Sequence, residues 1–235
     1  MKRWISKLLL IVILIASFWH TEVVSATTDQ FSIITDGSGA IDSYPSDTFA
    51  EGRAADPGLR INDATGNLQI GADIYSGKYY IIRSYLVFDT SSIPDDATVT
   101  GATIGVYGSA STGNPTMSLV ESTQTSSTVL ALADFQKIGS TKLADDIADV
   151  ATDAYSIFTL NEIGLSKISL TGYSKFALRE TDHDLANSTN GATRYYINFH
   201  LVGDTGYEPY LSVTYTIPGT SSPTTGFTQR AYLMD

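Results

Sequence analysis

The sequence predicts an all-β chain, an antiparallel β-sandwich with one or two short helices in its loops, and three observations predict it. Apolar and polar residues alternate in short runs, the runs are divided by Gly, Pro, Asn, Asp and Ser, and helical periodicity is nearly absent. Strands with one apolar face bury it most simply when two sheets stack on each other.

Taken in order, the expected strands begin with Phe31 to Ile34 and Leu68 to Ile74. Tyr79 to Phe88 is the longest. Tyr80, Ile82, Leu86 and Phe88 lie on one side of it and Tyr79, Ile81, Tyr85 and Val87 on the other, so it belongs at the centre of a sheet. After the turn Asp89 to Asp96, Thr98 to Tyr107 resumes the pattern. Met117 to Ser122, Ser156 to Leu160, Lys175 to Glu180, Tyr195 to Val202 and Tyr210 to Thr216 complete the set. Leu130 to Phe135 reads as a turn or two of helix, and Leu160 to Ile168 as a short helix started by Asn161.

The ends read differently from the middle. Lys2, Arg3 and Lys7 precede the apolar run Leu8 to Phe18, and Val24-Ser25-Ala26 offers small residues where a signal peptidase cuts. Residues 1–26 are therefore expected to be a secretory leader. The uninterrupted apolar run is about half of the ~20 residues that span a bilayer, so a retained anchor is the weaker reading. Residues 27–217 form the expected sandwich domain. From Pro218 the Pro, Gly, Ser and Thr composition is that of a linker, leaving residues 218–235 as a tail.

Composition narrows the function classes. The chain has 235 residues, no Cys and a formal charge of -11, so disulfide frameworks, zinc ribbons and thiol chemistry are excluded and nucleic acid is not the expected partner. Loss of the leader removes both tryptophans, Trp4 and Trp19, and makes the remainder more acidic, with 11 basic and 24 acidic residues. Export, no membrane span after cleavage, and an extracellular or cell-surface location are the expectation.

Several motifs resemble a known group. Arg83 to Asp89, then Ser92-Ile93-Pro94, then Ala97-Thr98-Val99 and Ala102-Thr103-Ile104, are similar to the DNRLRE-domain group of secreted β-sandwich modules. Phe176-Ala177-Leu178-Arg179-Glu180 resembles that group's late strand, and Glu208 to Tyr215 its closing strand. The resemblance runs from about Ala40 to Tyr215. It implies a jelly-roll type of sandwich and an extracellular module, some relatives of which bind carbohydrate.

Three constellations could carry chemistry. Asp182 and Asp184 can offer two hard oxygens to a structural Ca²⁺, which takes six to eight such ligands; the plain alternative is a solvated loop in which Asp182 caps its own turn. Arg83, inside the central strand, calls for a carboxylate partner such as Glu180 or Asp89, in a structural ion pair. Tyr195, Tyr196, Tyr207 and Arg194 offer ring faces and a guanidinium to a glycan, the alternative being that one Tyr of each pair fills the core.

For catalysis the residues offer little. His183 and His200 are the only histidines beyond the leader, and no nucleophile elbow, His-Glu-x-x-His or phosphate-cradling loop is present. The leading expectation is a secreted, non-catalytic extracellular module, interaction or structural, with a polysaccharide or cell-surface glycan as its partner. Two alternatives stand beside it. One is a filament or matrix subunit that self-associates by strand addition through Phe31 to Ile34 or Ala231 to Met234; the other is a polysaccharide-degrading enzyme acting through Tyr196, His200 and Arg194.

Overall fold

A computed structural model describes residues 24–62, 67–189, 194–201 and 206–221. The expected leader up to residue 23 and the tail after Ser221 lie outside the described residues, as does the Ala231 to Met234 segment. The chain is an all-β sandwich in which every pairing among the described strands is antiparallel.

β1 (Val24–Ser32), β2 (Gly39–Asp42) and β3 (Arg60–Asn62) precede β4 (Leu68–Tyr75) and β5 (Lys78–Asp89). β6 (Thr98–Thr112), β7 (Met117–Ser122), β8 (Ile138–Lys142) and β9 (Ala154–Thr159) follow, and β10 (Tyr173–Glu180), β11 (Tyr196–Phe199) and β12 (Tyr210–Ser221) close the fold. Among the described residues two short α-helices sit in loops. α1 (Phe49–Arg53) opens on a capping box between Thr48 and Glu51, and α2 (Glu162–Leu165) starts at Asn161, whose side chain accepts from the Gly164 N–H at 2.9 Å. The expected helical piece near residue 130 is a single 3₁₀ turn, Leu132–Asp134.

The two longest strands change partner midway. Along one edge β5 pairs with β4 over Lys78 to Ile82 and with β10 over Ser84 to Asp89, while β2 takes its other edge. β6 does the same with β12 and then β11, with β9 on its far side. β4 and β11 pair with each other. They thereby join two layers, β3-β2-β5-β10-β7-β8 and β9-β6-β12-β1.

Between the layers lies the main core. Leu86 and Phe88 of β5 and Phe176 and Leu178 of β10 meet Ile104 and Val106 of β6 and Leu211 and Val213 of β12, all sealed from water. Each such side chain contributes about 1.5–3 kcal/mol by leaving water. The opposite face of β5 is also covered: Ile81 and Tyr85 pack with Phe49 of α1, Leu130 and Phe135 in a second core. From Ile81 to Phe88 the two-sided apolar pattern thus has both of its faces buried, while Tyr79 and Tyr80 are half-buried.

Three differences from the expected elements have physical causes. β2, β3 and β8 are five residues or fewer, too short for a period-two pattern to show. β12 runs on through Pro218 and Gly219 to Ser221, where linker composition predicts no strand. Its last pairing with β6 is at Thr216, so the Pro lies where that neighbour has already ended. β1 is longer than expected, beginning at Val24, and Phe31 to Ile34 bonds within its own chain, Phe31 opposite Leu211 and Ile33 opposite Phe88. Among the described residues no helix is long and apolar enough to cross a membrane.

Candidate functional site

Two polar centres stand out, one buried and one open. The buried centre lies on the outer face of the β5 layer. Register puts Tyr85 opposite Ala177, so Arg83 of β5 and Arg179 of β10 share that face with them. The π-helical turn Thr181–Leu185 then brings Asp184 back over the same face. Arg83 donates to Asp184 through Nε (2.9 Å) and Nη2 (2.7 Å), and Arg179 donates through Nε and Nη2 at 2.9 Å each. One carboxylate therefore holds two guanidiniums in two-pronged contact. The remaining donors reach carbonyls: Arg83 Nη1 bonds Phe135 O at 2.9 Å, Arg179 Nη1 bonds Gly139 O at 3.1 Å, and Arg53 Nε bonds Asp184 O at 2.8 Å. The Phe135 ring lies 4.4 Å beneath the Arg83 guanidinium.

This corrects the expected pairing of Arg83 with Glu180. Successive residues on β10 point to opposite faces, so Glu180 faces away from Arg83 and Arg179. The Glu180 carboxylate instead accepts the backbone N–H groups of Asp182, His183 and Asp184, which starts the π turn. Asp89, the other expected partner, is six residues along β5, about 20 Å away. It accepts from the Ser91 backbone and hydroxyl. Burial raises the Glu180 carboxyl above its usual range, an effect the three N–H groups only partly offset. Burial would raise Asp184 too, but the adjoining Arg83 and Arg179 hold it at about 2.

The two carboxylates expected to share a cation do not converge. Asp184 is taken up by arginines, while Asp182 accepts from the Thr116 N–H at 3.1 Å and the Tyr195 hydroxyl at 2.7 Å. Among the described residues no group of three or more His, Asp or Glu is placed to hold a metal ion.

The open centre is a cleft of about 310 Å³ across β3, β2, β5 and β4. Register builds it: Arg60 lies opposite Asp42, Asp42 opposite Ile82, and Asp73 opposite Tyr80, so all these side chains share one face. Ile82 and Gln69 line it between two arginine–carboxylate pairs. On one side Arg60 Nη2 donates to Asp42 Oδ2. On the other, Arg194 Nε donates to both oxygens of Asp73 at 2.8 Å. The Arg194 guanidinium is stacked between the rings of Tyr75 and Tyr196, 4.8 and 5.0 Å from their centres. Tyr196 can lie there because it crosses Gly71, where a Cβ would come within 2.8 Å of the Tyr196 Cβ.

Asp42 is the residue the cleft leaves incomplete. It is 2% exposed, yet among the described residues its Oδ1 has no hydrogen-bond partner. Burial raises its carboxyl above the usual range, against the pull of Arg60. A buried acceptor without a donor costs about 1–3 kcal/mol, so Oδ1, itself sealed from water, gains most from a donor that a turn of the carboxylate lets it meet.

The expected glycan residues are divided. Arg194 lines the cleft, and the Tyr196 ring supports its guanidinium without lining the cleft itself. Tyr195 turns the other way, its hydroxyl on Asp182 and its ring edge-on to His183 at 4.6 Å, although its N–H bonds Asp73. Tyr207 packs on Tyr107 (4.4 Å) and His200 (5.4 Å), in a separate aromatic cluster with Tyr155 and Tyr210 on the β6 layer. His200 is thus not beside Arg194 and Tyr196. Asp42, Asp73 and Arg60 escaped the sequence reading. An Asp inside the alternating run Leu68 to Tyr75 was the available signal, because strands are depleted in Asp.

Comparison with known proteins finds no family model and no curated protein that matches the chain. The resemblance to DNRLRE-domain modules rests on its motifs alone.

Proposed function

We propose that the chain is an exported, non-catalytic binding module of jelly-roll type that holds a glycan in the Asp42–Asp73 cleft. The observation that carries this reading is the unpartnered Oδ1 of buried Asp42, set in an open polar cleft beside tyrosine rings. Sugars offer many hydroxyl donors and acceptors at short spacing, and carboxylate and guanidinium groups lining a cleft match them. At about 30 Å³ per water, the cleft holds about ten waters, and their release adds to binding wherever they are poorly ordered. The leader-like N-terminus supports export. Strand addition through Phe31 to Ile34 is less favoured, because that segment already bonds to β12 and β5 of its own chain.

The test is a glycan array probed with the full chain and with Arg194→Ala. Retention by wild type, weakened about tenfold or more in the variant at an unchanged melting temperature, is the expected result. Retention that Arg194→Ala leaves untouched would move the site elsewhere, and release of reducing ends would replace binding by catalysis.

A further inference from the structure

Resting on the glycan reading of the cleft, we infer that its ligand is a neutral sugar, engaged through a hydroxyl that donates to Asp42 Oδ1, and that acidic and amino sugars are discriminated against. The cleft is balanced in charge although the chain is strongly acidic. Its two carboxylates, Asp42 and Asp73, each carry their own guanidinium, Arg60 and Arg194. The carboxylates are the buried members, with side chains 3% and 6% exposed, and the guanidiniums are the exposed ones, at 65% and 44%.

That arrangement decides the ligand class. A uronate entering the cleft would bring a third carboxylate next to two that are poorly screened, while the arginines that could attract it are largely solvated and already paired. An ammonium group would be the third cation around two carboxylates that are each already neutralised. A hydroxyl adds no charge and completes the unmet acceptor once the Asp42 carboxylate turns Oδ1, which is sealed from water in the unliganded chain, towards the cleft. It can also accept from the Arg194 terminal nitrogens, since the bond to Asp73 is made through Nε. Gln69 adds an amide, able both to donate and to accept, to the same lining.

Titration calorimetry on the full chain, using neutral glucan, mannan, galactan and xylan oligosaccharides, oligogalacturonate and chitosan oligomers at low and high salt, separates the outcomes. Binding confined to a neutral oligosaccharide, changed less than about twofold by salt, is expected. Asp42→Asn should weaken it about tenfold, because the acceptor loses its charge, while the melting temperature holds or rises, because the buried charge is gone. Binding of oligogalacturonate or chitosan that Asp42→Asn or Arg194→Ala abolishes would overturn the neutral-sugar inference and leave the glycan reading standing. Neutral-sugar binding indifferent to Asp42→Asn would remove Asp42 as its acceptor. No binding across all of these glycans would overturn both.

Discussion

Asp184 answers two guanidiniums with one carboxylate, and that asymmetry makes it the most sensitive residue of the β5 face. Asp184→Asn leaves Arg83 and Arg179 buried without a counter-charge and should cost about 3–5 kcal/mol in denaturant unfolding. Arg83→Met should cost less, since Arg179 keeps Asp184 paired; a larger loss for Arg83→Met would reverse this ranking. The same carboxylate sets an acid limit. Its pKa is about 2 in the folded chain against an ordinary 3.8, so its contribution, about 2 kcal/mol, is complete above pH ~4 and lost as pH falls towards 2. Asp42 and Glu180 act in the opposite sense: their raised carboxyls favour the folded state on protonation, so acid first relieves them before Asp184 gives way. Wild type should therefore unfold more steeply than Asp184→Asn between pH 4 and 2, measured by circular dichroism. At Gly71 even one methyl group is too much. Gly71→Ala would press on Tyr195 O and Tyr196 Cβ and should disturb the Arg194 wall, weakening ligand binding more than it lowers the melting temperature.

At the level of elements, β5 and β6 decide the architecture by exchanging partners halfway along their length. β4 and β11 fill the gaps this leaves, and the cleft forms where β4, β5 and β2 lie side by side. β1 illustrates how little of a terminus is needed. Its pairs from Thr27 opposite Tyr215 to Ser32 opposite Tyr210 anchor Phe31 in the core, and Tyr215 donates from its hydroxyl to Asp29 at 2.7 Å. Among the described residues, ending the chain at Ile217 removes a single β1 pair, Val24–Ser221, and should change stability by about 0.5 kcal/mol or less. Phe31→Ala, by contrast, should cost about 3 kcal/mol. Equal losses in the two would mean that residues 218–235 are part of the folded body.

For the whole molecule, the absence of Cys leaves the core, the sheet pairing and the buried ionic centre to hold the domain together. Because Asp182 and Asp184 are bonded to groups of the protein, EDTA should leave the melting temperature unchanged; a fall would show that a cation bound by the native state contributes to stability. Cleavage of the expected leader would have its own signature. Trp4 and Trp19 both precede residue 27, so the cleaved product should show tyrosine emission with no tryptophan component when excited at the red edge, whereas a retained anchor would keep it.

Alternation along the chain was enough to identify eight of the strands, the last residues of β1 and the central position of β5, and the capping Asn161 marked the start of α2, because each depends on neighbours within a few residues. The tertiary structure alone decided which charges meet. Arg83 and Glu180 look like natural partners in sequence, yet strand parity sets them on opposite faces, and the π turn returns Asp184 to the arginine side. Likewise Asp42, Asp73, Arg60 and Arg194 are scattered over more than 150 positions and form one cleft only through the register of four strands and the approach of Tyr196 over Gly71. Local pattern follows from side-chain direction, but a site assembled across strands depends on register, and register is set by the packing of the whole sheet.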